Sequence, residues 1–336
     1  MNAGRLLARA TVAPALLVAA WLAVSLPLLL AGVFRPAPAV ALFVPVAALL
    51  LWTGLRSRPA AARPARTART AREGRRGSAH AAQRWPVWAV FAITAAFLVL
   101  QAVMCAEQIV VRRDPASYVQ FATWLAEHGS LPIPTREAAF GGPDAALHFQ
   151  SPAFYQHDGA VVPQFMAGLP LVLAPAGWIG GTHGMLLMAP LLGACCVLSF
   201  AGLVARLVGP RWAPAGALLL ALTLPMLYVS RSTFSELPAL VLLLGGLSLM
   251  DDVRREEGRA ADAKAFLAGA VLGLIVLVRI DGLRDVLPVL AFAGLLIAHR
   301  RRPGTGRRAA WCSGRAPGWS RGSCCPGRTS PTWAPP

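Results

Sequence analysis

Charge is scarce in this chain. Only 14% of its 336 residues are Asp, Glu, Lys or Arg, against about a quarter in a soluble domain. With 56% hydrophobic residues and a mean hydropathy of +0.56, that scarcity excludes an ordinary water-soluble globule. Cysteine supplies no framework. Cys105, Cys195 and Cys196 lie in apolar stretches, Cys312, Cys324 and Cys325 lie in the tail, and none stands with histidines at metal-ligand spacing. An internal repeat is also lacking, which argues against the paired-repeat design of many transporters.

What is present is apolar sequence in long runs, several near the roughly 20 residues that cross a bilayer as a helix. The net charge of +17 sits almost wholly outside them. Residues 56–84 hold nine arginines and one acid, Glu73, for +8, and residues 300–336 hold eight arginines and no acid, for +8. Arginine beside spans marks the cytoplasmic side and attracts anionic membrane lipids. This placement argues against a nucleic-acid partner. The basic start (Arg5, Arg9) and the apolar run that follows read as an uncleaved anchor, since a small-x-small cleavage site is missing.

Nine apolar segments are visible, roughly 13–34, 37–54, 86–105, 162–179, 184–206, 212–230, 236–250, 265–280 and 286–299. Basic flanks at Arg5 and Arg9, the 56–84 linker, Arg206 and Arg211, residues 251–264 and residues 300–308 all belong inside. These agree only if one segment does not cross. The choice falls on "VVPQFMAGLPLVLAPAGWIGG" (161–181), broken by Pro163, Pro170, Pro175 and Gly168, because each internal proline removes a helix hydrogen bond. It is expected to be interfacial or re-entrant. The expected fold is all-α: a polytopic transmembrane bundle of about eight spans in the cell membrane, both termini cytoplasmic, with outer juxtamembrane amphipathic helices. Its parts are an N-terminal hairpin (1–55), a disordered basic linker (56–85), a core (86–299) with an outer loop at 106–183, and an irregular basic tail (300–336).

In that topology the unusual polar residues collect at outer ends of helices: "RRDPASYVQFATWLAEHGSL" (112–131), "SRSTFSELP" (230–238) and "VRIDGLRD" (278–285). In the first, Asp114 before Pro115 is a helix start. Tyr118, Phe121, Ala122 and Leu125 follow at i, i+3, i+4 and i+7, and Gly129 can end the helix. Two readings stay open. Asp114 caps this helix while Arg112 and Arg113 touch lipid headgroups, or Asp114 is a general base with arginines holding a phosphate.

These motifs, in this order, resemble the GT-C glycosyltransferase superfamily, which includes protein O-mannosyltransferases and bacterial aminoarabinose transferases. The resemblance covers about Pro86 to His299: the acid after the first core helix with Tyr118 and an amphipathic helix, the proline-containing segment 161–181, and the arginine–glutamate pattern of "SRSTFSELP". Members with two acids in the first loop differ, because Pro115 follows Asp114 here. The resemblance implies a polyprenyl-phosphate-linked sugar donor and transfer to an acceptor on the extracytoplasmic face. Asp114 matches the base. Arg231 and Arg279, with Arg112 and Arg113 behind them, match groups stabilising the leaving phosphate, and Tyr118, Glu236 and Asp281 complete the substrate-binding set. A divalent metal is left open. The alternative function is a transporter or flippase of a lipid-linked or small substrate.

Weaker signals take local readings. Arg279 and Asp281 form a turn with its own ion pair. His148, His157 and Asp158 belong to a solvated loop or a metal or acceptor site. Trp85, Trp88, Trp178 and Trp212 suit an aromatic belt. "WCSGRAPGWSRGSCCPGRTSPTWAPP" lacks periodicity and reads like out-of-frame translation or a truncated end, which would leave the acceptor site incomplete and activity in doubt.

Overall fold

The computed structural model describes residues 3–56, 84–109, 114–144, 146–256 and 258–301. Arg112 and Arg113, most of the basic linker and the tail beyond Arg301 lie outside the described residues. The chain divides into two compact units, Met1–Leu287 and Pro288–Pro336. All that follows concerns the first, apart from the run of its last helix into the second.

The first unit is mostly helical. Helices α1 (Ala3–Ala10), α2 (Ala13–Leu30), α3 (Pro36–Leu55) and α4 (Trp85–Val103) precede the amphipathic α5 (Asp114–His128). Then come α6 (Gly168–Leu207), α7 (Ala213–Ala221), α8 (Leu224–Val229), α9 (Glu236–Arg255), α10 (Arg259–Gly273), α11 (Ile275–Val278) and α12 (Gly282–Arg301). By length and composition, five helices could cross a membrane: Gly4–Leu30, Pro36–Leu55, Trp85–Val103, Gly168–Leu207 and Arg259–Val278. Charges at both ends of α9 trim its uncharged stretch to 237–250, roughly 21 Å at 1.5 Å per residue.

One element departs from the all-α expectation. The loop after α5 carries a three-stranded antiparallel sheet in the order β1–β3–β2, built from β1 (Ile133–Pro134), β2 (Phe154–His157) and β3 (Ala160–Pro163). Its strands are too short and proline-rich for period-2 alternation to show in the sequence. The 212–230 segment is also broken, into α7 and α8, with Thr223 extended between them and Pro225 in the first turn of α8.

The proline-rich segment 161–181 is not one helix. Its first residues form β3, and helix begins at Gly168. That helix breaks at Gly180 and Gly181, the latter at φ +58 and ψ −149, where a side chain would be strained. Beyond the break the chain turns sharply: a Cβ at Gly184 would strike the Ala176 carbonyl, and one at Gly177 would strike the Met185 side chain. Residues eight apart in a straight helix are separated by about 12 Å along the axis. The stretch 168–179 is therefore its own short helix, roughly 18 Å long.

An aromatic cluster seats this short helix. Trp21, Phe34 and Trp178 meet at ring distances of 5.1–6.2 Å. Trp21 Nε1 donates to the Leu171 carbonyl at 2.7 Å, and Trp178 Nε1 donates to the Ala126 carbonyl at 3.1 Å. Trp178 is thus packed inside the unit, whereas Trp85, Trp88 and Trp212 are exposed.

The two ends of the bundle differ in chemistry. At one end Arg206 bonds Asp252, Thr11 and the Ala8 carbonyl, Arg255 pairs with Asp251 at 2.8 Å, and buried Lys264 pairs with Glu256 at 2.5 Å. The 20 residues of α9, roughly 30 Å of helix, separate this end from Glu236 and the groups described next.

Candidate functional site

Helix α5 carries Asp114 at its first residue and buries Pro115, Tyr118, Val119, Phe121, Ala122 and Leu125. Burying each large apolar side chain contributes about 1.5–3 kcal/mol, so this face anchors the element bearing the acid. The helix ends at Gly129, at φ +68, where a Cβ would strike the Phe34 carbonyl. The Phe34 amide in turn donates to the Gly129 carbonyl at 3.1 Å.

A cavity of about 250 Å³ opens where α5, the segment after β3, the start of α9 and the end of α11 meet. Among its lining residues are Asp114, Tyr118, Glu236, Arg279 and Asp281, five of those singled out from the sequence, together with Gln164 and Ser235. Asp114 is exposed, and among the described residues its carboxylate has no hydrogen-bond or ion-pair partner. Its backbone carbonyl instead accepts from Ser117 Oγ at 2.6 Å.

Arg279 organises the opposite wall. It follows α11 in extended conformation, φ −141 and ψ 129. Its Nε donates to Asp281 Oδ1 at 2.9 Å and its Nη2 to Oδ2 at 2.8 Å. Its Nη1 meets Glu236 Oε1 at 2.5 Å and Ser235 Oγ at 3.3 Å. The bonded Asp281 carboxylate raises the Arg279 pKa further, while the Arg279 hydrogen bonds hold Asp281 below the ordinary aspartate range. The local Arg279–Asp281 pair expected of the turn is present, and Glu236 extends it to α9.

Ser235 is the junction that the sequence reading missed. A serine before a helix-starting glutamate looks like an N-cap, yet its hydroxyl makes no cap bond. It is buried and accepts from Tyr118 Oη at 3.1 Å as well as from Arg279. Burial raises the Tyr118 pKa, which keeps the phenol a proton donor. Thr233 Oγ1 donates to the Pro115 carbonyl at 2.8 Å and so ties the turn before α9 to the start of α5. Gln164 carried no signal in the sequence; only the structure brings it into this lining.

Arg231 stands apart from this cavity lining. Its Nε donates to Gln101 Oε1 at 3.1 Å, and its carbonyl accepts from the Ala106 amide at 2.7 Å. His157 and Asp158 form an exposed pair at 3.3 Å, and no group of three or more His, Cys, Asp or Glu able to hold a metal occurs among the described residues. The lining has three carboxylates, Asp114, Glu236 and Asp281, and one guanidinium, so its formal charge is −3 + 1 = −2. Chemically it can accept hydrogen bonds from hydroxyls and take up a proton at Asp114. Comparison with family models, with characterised proteins and with solved structures gives no significant match.

Proposed function

We propose that this chain is a membrane glycosyltransferase that moves a sugar from a polyprenyl-phosphate-linked donor to an acceptor hydroxyl on the extracytoplasmic face. One observation carries the reading. Asp114, without a partner among the described residues, shares a cavity with the Arg279–Glu236–Asp281 network at one end of a helical bundle. Asp114 takes the proton of the acceptor hydroxyl as its oxygen attacks the anomeric carbon. The bond from that carbon to the phosphate oxygen breaks, and the lipid phosphate leaves with the electron pair. Glu236, Asp281, Gln164 and Ser235 orient the sugar hydroxyls.

The topology proposed with this reading has eight crossings: α2, α3, α4, the part of α6 after the kink, α7 with α8, α9, α10 with α11, and α12. Helix 168–179 is too short to cross roughly 30 Å of hydrocarbon and lies with α5 at the outer surface, leaving both termini cytoplasmic. Single cysteines near Gly181 should label from outside intact cells. Labelling only after permeabilisation contradicts this topology.

A transporter is the second reading, favoured by the helix breaks at Gly180–Gly181 and Leu222–Thr223, since discontinuous helices mark transport sites. Radiolabelled polyprenyl-phosphate hexose, incubated with membranes containing the chain, separates the two. Appearance of label on a new acceptor supports transfer. Uptake of unreacted label into sealed vesicles supports transport and removes the transferase.

A further inference from the structure

A second cavity, of about 280 Å³, lies on the side of α5 turned away from the bundle. Its helix wall is Gln120 and Trp124. At roughly 3.6 residues per turn, both stand across α5 from the buried Tyr118, Ala122 and Leu125. The facing wall is one side of the small sheet. Val161 pairs with Ile133 and with Gln156. Paired residues share a face, and so does Phe154, two residues from Gln156. Ile133, Phe154 and Val161 all line the cavity, and Phe149 and Ser151 close it ahead of β2.

The chemistry of this lining is the reverse of that in the acid-lined cavity. Among the described residues no charged side chain contributes to it. Aromatic and aliphatic side chains supply most of the surface, and Gln120 and Ser151 supply the polar groups. Gln120 Nε2 donates to the Ile109 carbonyl at 3.1 Å. Its Oε1 and the Ser151 hydroxyl have no partner among the described residues. Trp124 is locked in place. Its Nε1 donates to the Ser130 carbonyl at 2.9 Å, and the His128 ring stacks on it at 3.6 Å and 8°. Arg136 holds His128 in turn at 3.2 Å. The indole therefore meets the cavity away from the face that His128 covers.

An uncharged cavity with aromatic walls and a few polar groups suits a sugar ring. The C–H faces of the ring pack on the aromatics, and its hydroxyls meet the amide oxygen and the serine. A phosphate or a charged peptide finds no partner there. An acyl chain would have to leave the bilayer, since the cavity lies on the outward side of α5. We propose that this cavity is a saccharide subsite, holding one ring of an uncharged oligosaccharide acceptor while another ring presents its hydroxyl to Asp114. Calling the saccharide an acceptor rests on the transferase reading; its binding does not. Gln120 follows Asp114 by six residues, roughly 9 Å along α5. Val161 precedes Gln164 by three, at most about 11 Å of chain. Linked rings bridge that distance, and a monosaccharide does not.

The test titrates uncharged trisaccharides of glucose, mannose, galactose and arabinose into the full chain in phosphatidylcholine nanodiscs. Binding is read by saturation-transfer NMR, with N-acetyl-tryptophanamide as an aromatic peptide probe. At least one trisaccharide should bind, and better than its monosaccharide. Ser151→Arg fills the cavity from an exposed position and should weaken binding about tenfold or more; Trp124→Ala removes an aromatic anchor and should do the same. Tyr155→Ala, on the opposite face of β2, should leave binding unchanged. Equal affinity in the wild type and Ser151→Arg, or an equal loss in Tyr155→Ala, overturns the site. Failure of every trisaccharide to bind overturns the saccharide, and binding of the probe alone makes the cavity a peptide site. Label transfer from polyprenyl-phosphate hexose is measured on the same samples as a separate readout. Wild type that transfers without binding a trisaccharide sinks this inference alone, and wild type that binds without transferring sinks the transferase reading alone.

Discussion

Arg279 grips Asp281 through two parallel hydrogen bonds, Nε to Oδ1 at 2.9 Å and Nη2 to Oδ2 at 2.8 Å. Glu236 holds the same guanidinium from the start of α9. The clasp fixes Glu236 and Asp281, two of the cavity's three carboxylates, and it makes Arg279 a strut between α9 and the chain entering α12.

The clasp predicts a pH dependence. Asp281 titrates below the ordinary aspartate value of 3.8 because Arg279 bonds its ionised form. A depressed carboxylate pKa contributes stability above the unfolded value and loses it as pH falls through the folded one. Wild type should therefore exceed Asp281→Asn in thermal stability at neutral pH, and the gap should close as the pH drops below about 3.8. The side chains are 24% and 40% exposed, so solvent screening keeps the gap under about 1 kcal/mol. Melting temperatures in detergent from pH 3 to 8 test this; a gap that widens in acid contradicts it.

The start of α6 supports the same clasp from below. A Cβ at Gly168 would lie 2.6 Å from the Leu277 carbonyl and 2.8 Å from Val278 Cα, backbone atoms that cannot swing aside. Gly168→Val should push the segment carrying Arg279 out of place, costing about 1–3 kcal/mol and lowering transfer more than Gly269→Val, where no atom lies within 4 Å. Melting curves and transfer rates of the two variants provide the comparison.

At the other end, Lys264 and Glu256 are paired with side-chain exposures of 3% and 13%, and Glu256 Oε2 has no partner. Breaking a buried pair leaves an uncompensated charge, so Lys264→Ala should cost about 3–5 kcal/mol, and Lys264→Met with Glu256→Leu should recover most of it. A double variant as unstable as the single one would show that the pair is not energetically coupled. Transfer by the double variant should survive, since α9 separates this pair from the cavity.

The sequence was most legible where one physical signal dominated. The i, i+3, i+4, i+7 pattern after Asp114 became the buried face of α5. The 161–181 segment is interrupted, but Pro170 and Pro175 lie within the helix that starts at Gly168, and the sharp break falls at Gly180–Gly181. The 133–163 sheet stayed hidden because strands of two to four residues leave no pattern to read. Arg231 and Arg279 looked equivalent, each beside a helix end. Only the fold shows that Arg279 meets Glu236 and Asp281 while Arg231 meets an amide. Ser235 was masked by its likeness to a cap, and Gln101 by its place within an apolar helix.

The central claim is that Asp114 deprotonates the acceptor in the cavity it shares with Arg279. Its most direct test is transfer of label from radiolabelled polyprenyl-phosphate hexose by Asp114→Asn, with melting temperature measured on the same sample. The account predicts a rate loss of about a hundredfold to ten-thousandfold with the melting temperature unchanged. Wild-type transfer by a folded Asp114→Asn protein would contradict it.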